Sequence, residues 1–196
     1  MAMLGIEKIL NRLQSRRQSL DLARRLLQYT GIDGSRRYLE LGCGSGVVVT
    51  YLAKEYEGEV VGIDMDPQQV ALAHKSGNGL PNVRYLEADA TTLPFKSSSF
   101  DVVLSFGVLH HIKDWLGALK EVRRVLKPGG YFVYADIIYP ERITRMDSGS
   151  SISFGLVTID IDELNGFLEK FGFTTIHSQW QNRLVCRNYE AVYRRN

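Results

Sequence analysis

Glu40 lies inside an otherwise apolar run, Tyr38-Leu39-Glu40-Leu41, which leads straight into Gly42-Cys43-Gly44-Ser45-Gly46. A carboxylate in a buried strand is costly unless a cation or a hydrogen-bond donor meets it. Glycines at 42, 44 and 46 would leave one face of the turn without side chains, so a ligand can rest on bare backbone in front of a helix N-terminus. Twenty-two residues past Gly42, a second apolar run, Val60-Val61-Gly62-Ile63, ends at Asp64. An acid at that distance can accept hydrogen bonds from a ribose diol. The diphosphate of a dinucleotide would be repelled by Glu40, whereas a ligand bearing an ammonium and a sulfonium would suit it. The spacing is also G-x-G-x-G, with Val47 where a dinucleotide turn carries Gly or Ala.

A second group could handle protons. His110 and His111 follow the fourth apolar run, and Asp136 and Tyr139 lie near the end of the fifth. Neighbouring residues on a helix or strand point apart, so the histidine pair is not expected to chelate one ion. One of them is expected to reach a pocket as a base, and His111 and Asp136 are the candidate catalytic residues. The two cysteines, Cys43 and Cys186, are too few for a disulfide framework or a cysteine metal site, and no metal is expected.

The ordered set ELGCGSG (40–46), VVGIDMDP (60–67), EADATTLPF (87–95), FDVVLSFGVLHHI (100–112) and LKPGG (126–130) resembles class I S-adenosylmethionine-dependent methyltransferases, in particular their small single-domain type 11. The resemblance covers about half the chain. It implies a doubly wound, Rossmann-like, seven-stranded and mostly parallel α/β sheet that ends in a C-terminal antiparallel hairpin, with helices on both faces. It implies S-adenosylmethionine as cofactor and S-adenosylhomocysteine as product. Carried over by position, Glu40 would meet the methionine ammonium, and the backbone of Gly42, Cys43 and Gly44 would wrap the methionyl-ribose part. Asp64 would accept the ribose hydroxyls and Met65 would pack on the adenine. Asp89 would accept from the adenine amino group, with Ala90 offering its N–H. Ser105 and Phe106 would line the methyl-donor end.

Each assignment has a plainer reading beside it. Asp64 could cap the next helix, although Asp66 before Pro67 is better placed. Asp89 could hold its own turn, and Met65 and Phe106 could be packing. The acceptor is expected to be a small molecule. Ser105-Phe106-Gly107-Val108 lacks the Pro-Pro-aromatic pattern that amino-methylating enzymes for DNA or RNA adenine place there. Two rival functions remain: a protein that binds S-adenosylmethionine without transferring its methyl group, and an NAD(P)-dependent oxidoreductase.

These residues need strands that end together. Apolar runs alternate with amphipathic stretches from residue 37 onward, which predicts strands at Tyr38–Leu41, Glu59–Ile63, Val83–Glu87, Phe100–Ser105 and Gly130–Ile138. Helices are predicted over Val47–Tyr56, Pro67–Ser76, Trp115–Leu126 and Asp160–Phe171, with closing strands near Phe173–Ser178 and Asn188–Arg194. Every singled-out motif then lies at a strand's carboxyl end, where such sheets bind ligands. The expected organisation is one domain over 196 residues: a helical lid (1–36), a cofactor-binding core (37–138), and a substrate loop with the C-terminal helix and hairpin (139–196). The lid is two amphipathic helices, with Ser19 as N-cap of the second and Gly31 as its stop.

The charge balance of +2 is uneven. Residues 1–37 carry eight Lys and Arg against three acids, which reads as a solvated helical face rather than an RNA or membrane surface, and Tyr29 as the single aromatic among the arginines further weakens the RNA reading. No DNA partner is expected. No apolar run approaches the ~20 residues of a membrane-spanning helix, and the first residues show no leader pattern, so a cytoplasmic protein is expected.

Overall fold

The computed structural model describes residues 18–33, 35–138, 157–182 and 187–196. The first predicted lid helix and most of the Tyr139–Thr158 loop lie outside the described residues. Seven strands are described: β1 (Tyr38–Leu41), β2 (Val60–Asp64), β3 (Val83–Glu87), β4 (Phe100–Phe106), β5 (Leu126–Ile138), β6 (Phe173–Asn182) and β7 (Arg187–Arg195). Helices are α1 (18–27), α2 (Val47–Glu55), α3 (Pro67–Ser76), α4 (Trp115–Val125) and α5 (Ile161–Lys170). Among the described residues no helix is long and apolar enough to cross a membrane.

The strands form one sheet in the order β3-β2-β1-β4-β5-β7-β6. Strands β1 to β5 pair in parallel, while β7 inserts between β5 and β6 and runs antiparallel to both. The expected mostly parallel sheet with a C-terminal antiparallel hairpin is what forms. Helices follow β1, β2 and β4, whereas β3 leads to β4 through turns; the central runs are buried on both faces, as the apolar stretches 38–41, 60–63 and 102–104 require.

Alternate residues of each strand feed two separate cores. Leu39, Leu41, Val61, Ile63 and Val103 pack with Leu119, Val122, Leu164 and Leu168 of α4 and α5. Tyr38, Val60, Val102 and Leu104 pack with Ala23 and Leu26 of α1, Val48 and Leu52 of α2, and Val70 and Ala73 of α3. Each buried Leu, Ile or Val contributes about 1.5–3 kcal/mol. Helix ends follow local chemistry. Asp66 accepts from Gln68 N at 2.8 Å with Pro67 at the first helical position, and Asp160 accepts from Asp162 N and Glu163 N.

The second lid helix differs from expectation at its start. Residue 18 is already helical, so Ser19 lies within α1 rather than capping it. Its end is as expected: a 3-10 turn, Gln28–Thr30, closes at Gly31 with φ 58°.

Helix α1 is pinned across the C-terminal strands by an ion pair. The Arg25 guanidinium grips the Glu190 carboxylate at 2.5 and 2.8 Å, and Gln181 Nε2 adds a contact at 3.5 Å. Glu190 is 2% exposed, so Arg25→Met would strand a buried acid. Loss of about 1–3 kcal/mol is expected, seen as a Tm lower by about 2–10 °C in thermal denaturation. An unchanged Tm would mean the pair contributes nothing net.

Candidate active site

At the carboxyl end of β1 the chain turns sharply and starts α2, and three glycines serve three different needs there. A Cβ on Gly42 would come within 2.5 Å of Val108 Cγ2, so Gly42 makes room for the segment after β4. A Cβ on Gly46 would come within 2.8 Å of Tyr85 Oη, so Gly46 lets the turn rest on that ring. Only Gly44, at φ 52°, has an open side, its nearest neighbour being Gln69 Oε1 at 3.8 Å. The bare face expected of all three glycines is therefore provided by Gly44. Gly44→Ala would strain a left-handed residue by roughly 1–2 kcal/mol without a clash inside the protein. About a tenfold loss of cofactor affinity, measured by titration, is the expected result.

Glu40 points to the α2 side of the sheet and is 4% exposed. Burial holds its carboxyl well above the usual range, opposed by a hydrogen bond from the Val49 backbone and reinforced by nearby Asp64. Its Oε2 has no hydrogen-bond partner among the described residues. A buried carboxyl oxygen left without a donor is costly, and a cation or a hydrogen-bond donor would relieve that cost.

Asp64 ends β2 on the same side of the sheet. One carboxylate oxygen accepts from Gly44 N at 2.9 Å and the other from Asp66 N at 3.0 Å. It therefore stitches the turn to the start of α3 while Asp66, not Asp64, caps that helix. Cys43 N donates to Ile63 O at 2.8 Å, a further tie between turn and β2. Burial pushes the Cys43 thiol up, with Glu40 and Asp64 adding to the effect, so this sulfur is no nucleophile. Met65 is 74% exposed directly beside Asp64, free to cover a flat group. Asp89 is exposed and makes the local turn anticipated as its plainer reading, accepting from Thr91 N and Oγ1, both at 2.8 Å. Ala90 is buried behind it.

After β4 the chain opens a cavity of about 460 Å³, walled by α1, the 106–111 segment, the end of β5, and β6 and β7. Phe106 and Gly107 line it, and the adjoining Val108 touches the glycine turn, so turn and cavity share one segment. Ser105 does not reach the cavity. It is fully buried on the α4 side of the sheet, in register with Tyr134, and its Oγ has no hydrogen-bond partner among the described residues.

Leu109–His111 is a 3-10 turn, and the two histidine rings lie tilted against each other with centroids 4.0 Å apart. The expectation that they point apart fails because it assumed helix or strand geometry. His111 is exposed at the cavity rim. His110 is 5% exposed, and its Nδ1 hydrogen-bonds Asp136 Oδ1. Asp136 is 3% exposed and also accepts from His110 N at 3.3 Å and Ile137 N at 2.8 Å. The structure thus brings Asp136 together with His110, the histidine passed over in the sequence. The signal available was the carboxyl-end position of both, but 26 residues separate them. Val157 N donates to His110 O at 2.8 Å, so the chain re-enters the described residues beside this pair. Among the described residues no group of three His, Cys, Asp or Glu is arranged to hold a metal ion.

Residues 39–134 match the family described as methyltransferase domain. The chain is 34% identical over 131 residues to a probable phthiotriol/phenolphthiotriol dimycocerosates methyltransferase 2 of Mycobacterium ulcerans, covering 66% of this chain and 50% of that one. It is 35% identical over 134 residues to a demethylmenaquinone methyltransferase of Staphylococcus aureus, covering 67% and 55%. The chain therefore spans about half the length of the curated relatives it matches. A putative sarcosine dimethylglycine methyltransferase from Galdieria sulphuraria superposes with a TM-score of 0.80 at 15% identity, covering 92% of this chain and 86% of that one, a likeness of fold.

Proposed function

The chain belongs to the class I S-adenosylmethionine-dependent methyltransferases, and from that premise we propose that it moves the sulfonium methyl group to an oxygen, nitrogen or carbon nucleophile of a small-molecule acceptor. The observation that carries this reading is Glu40: a buried acid whose Oε2 has no hydrogen-bond partner among the described residues, on the strand that leads into the open Gly44 turn. A diphosphate would find no cation there and would oppose ionisation of Glu40, while an α-ammonium supplies the missing donors and favours the ionised carboxylate.

In this reading Glu40 holds the ammonium, and Gly42, Cys43 and Gly44 supply the backbone face. Asp64 keeps the turn in place through Gly44 N and takes the ribose hydroxyls with its remaining lone pairs. Met65 covers one face of the adenine, with Asp89 and Ala90 at its edge and Phe106 toward the reacting centre. When bound, S-adenosylmethionine supplies the activated methyl group and its own leaving group, so the protein's part is orientation and exclusion of water. The cavity beyond Phe106 receives the acceptor. Helix α1, held by Arg25, forms its wall and acts as the lid. The reaction is placed in the cytoplasm, in keeping with the few cysteines.

The test is formation of S-adenosylhomocysteine from S-adenosylmethionine with a panel of small acceptors. Acceptor-dependent release is the expected result. A protein that binds the cofactor tightly yet releases nothing above background with every acceptor would instead be a binding partner or sensor.

A further inference from the structure

We propose that this chain forms a two-fold dimer by pairing its edge strand β6 antiparallel with β6 of a second copy, so that two seven-stranded sheets join into one. Strand β6 is last in the sheet order, and among the described residues nothing pairs with its outer side. It runs for ten residues, Phe173–Asn182, most of them exposed. An open edge is a row of free N–H and C=O groups. Proteins that stay apart shield such rows with charges, proline, short length or a cover.

The two edges of this sheet differ in that respect. At the far edge β3 has five residues, and Arg84 and Glu87 place exposed charges along it. Strand β6 carries no Lys, Arg, Asp, Glu or Pro. It has one irregularity, a bulge at Ile176, where the register with β7 shifts between Thr175 and His177; from His177 to Asn182 the pairing is regular. Exposed apolar side chains gather at the same place. Among the described residues the large ones are Met65 at the cofactor turn, Leu72 on α3, Ile176 and Trp180 on β6, and Tyr29. The Tyr29 ring stacks on His177 of β6 with centroids 3.9 Å apart. Arg187 lies over the Trp180 ring, 3.9 Å from its centroid, and the ring remains exposed.

A second copy is the occupant that the chemistry of β6 selects. Thr, Ser, Gln and Asn side chains both donate and accept, so a strand bearing Thr174, Thr175, Ser178, Gln179, Gln181 and Asn182 is complementary to itself. Antiparallel pairing about a two-fold axis sets these residues against one another and brings no Lys, Arg, Asp or Glu of the strand against its own kind. A charged partner strand would find no counter-ion on β6. The contact also closes on itself. Both β6 edges are used up, only the short, charged β3 edges stay outside, and assembly stops at two copies. The pairing stands independently of the methyl-transfer reading, yet it braces the same wall: His177 carries Tyr29 at the end of the lid helix, and Gln181 lines the acceptor cavity.

The test is size-exclusion chromatography with light scattering on the full chain across micromolar concentrations, together with hydrogen–deuterium exchange. Twice the chain mass is expected, with exchange at β6 amides slowing as concentration rises. A monomer throughout, or a dimer whose β6 amides exchange as fast as in dilute protein, overturns the proposal. Ser178→Lys and Ser178→Glu then each place a charge on an exposed residue near the middle of the strand, so that two copies meet like to like. Each variant alone should raise the dimer dissociation constant at least about tenfold. An equimolar mixture of the two should recover a mixed dimer, seen by native mass spectrometry. Single variants that dimerise as tightly as the unaltered protein, or a mixture that stays monomeric, overturn it as well. Circular dichroism checks the fold, and Thr175→Lys with Thr175→Glu carries the same comparison should the Ser178 variants fail to fold.

Discussion

Asp64→Ala should lower affinity for S-adenosylhomocysteine at least a hundredfold while the protein stays folded. Two separate losses combine. The carboxylate's remaining lone pairs no longer accept the ribose hydroxyls, and hydrogen bonds to a charged group each contribute about 1.5–3 kcal/mol. The Gly44 and Asp66 amides also lose the acceptors that they meet at 2.9 and 3.0 Å, so the turn loosens at the one glycine whose open side faces the ligand. Asp64→Asn separates the two: it keeps one good acceptor for the backbone but loses the charge, and an intermediate loss is expected. The checks are isothermal titration for affinity and circular dichroism for the fold. A folded Asp64→Ala protein with unchanged affinity would remove Asp64 from the ribose site.

Glu40→Gln is expected to move stability and binding in opposite directions. Burial raises the Glu40 carboxyl in the folded protein, with Val49 N–H and Asp64 as lesser influences. Below the ordinary carboxylate range the folded and unfolded chains both hold this proton, and the group costs nothing. As pH rises above that range the unfolded chain ionises while the folded one keeps its proton, so the stability of the ligand-free protein declines. Glutamine removes that slope, and a higher Tm near neutral pH is expected. Affinity for S-adenosylhomocysteine should fall about tenfold to a hundredfold, because the ammonium loses a charge-assisted bond. The same sign makes binding release protons, since an arriving cation favours ionised Glu40. Calorimetry in buffers of different ionisation enthalpy would detect the release, with affinity rising with pH through the Glu40 titration. A Glu40→Gln protein of unchanged stability and affinity would contradict both halves.

Much of the frame was legible because strands buried on both faces appear as unbroken apolar runs. Tyr38–Leu41 and Val83–Glu87 were placed at the residues where they form, and Pro67 behind Asp66 located α3 from local chemistry alone. Strand β6 continues to Asn182, past its expected end at Ser178, because an edge strand with exposed Gln179 and Trp180 carries no apolar pattern. Strand β5 starts at Leu126 instead of Gly130, by pairing Leu126 with Phe100 across a bulge that Pro128 and Gly129 conceal in the sequence.

The site was legible where one residue was anomalous in its own surroundings and illegible where distant residues met. Glu40 stood out as an acid among Tyr38, Leu39 and Leu41, and its Oε2, without a hydrogen-bond partner among the described residues, is the structural counterpart of that anomaly. The glycine spacing read as one device, yet Gly42 answers to Val108 and Gly46 to Tyr85, contacts that no spacing reveals. The choice between His110 and His111 turned on a 3-10 geometry that puts one ring on Asp136 and the other at the rim. Ser105 faced the wrong core because strand alternation decides its direction, and only the pairing with Tyr134 shows which side that is.

The most direct measurement is calorimetric titration of the protein with S-adenosylhomocysteine, with NAD titrated in parallel. One-to-one binding of S-adenosylhomocysteine and no binding of NAD is the result that follows from Glu40, whose Oε2 has no hydrogen-bond partner among the described residues, on the strand that leads into the Gly44 turn. Binding of NAD, or of neither compound, would contradict it.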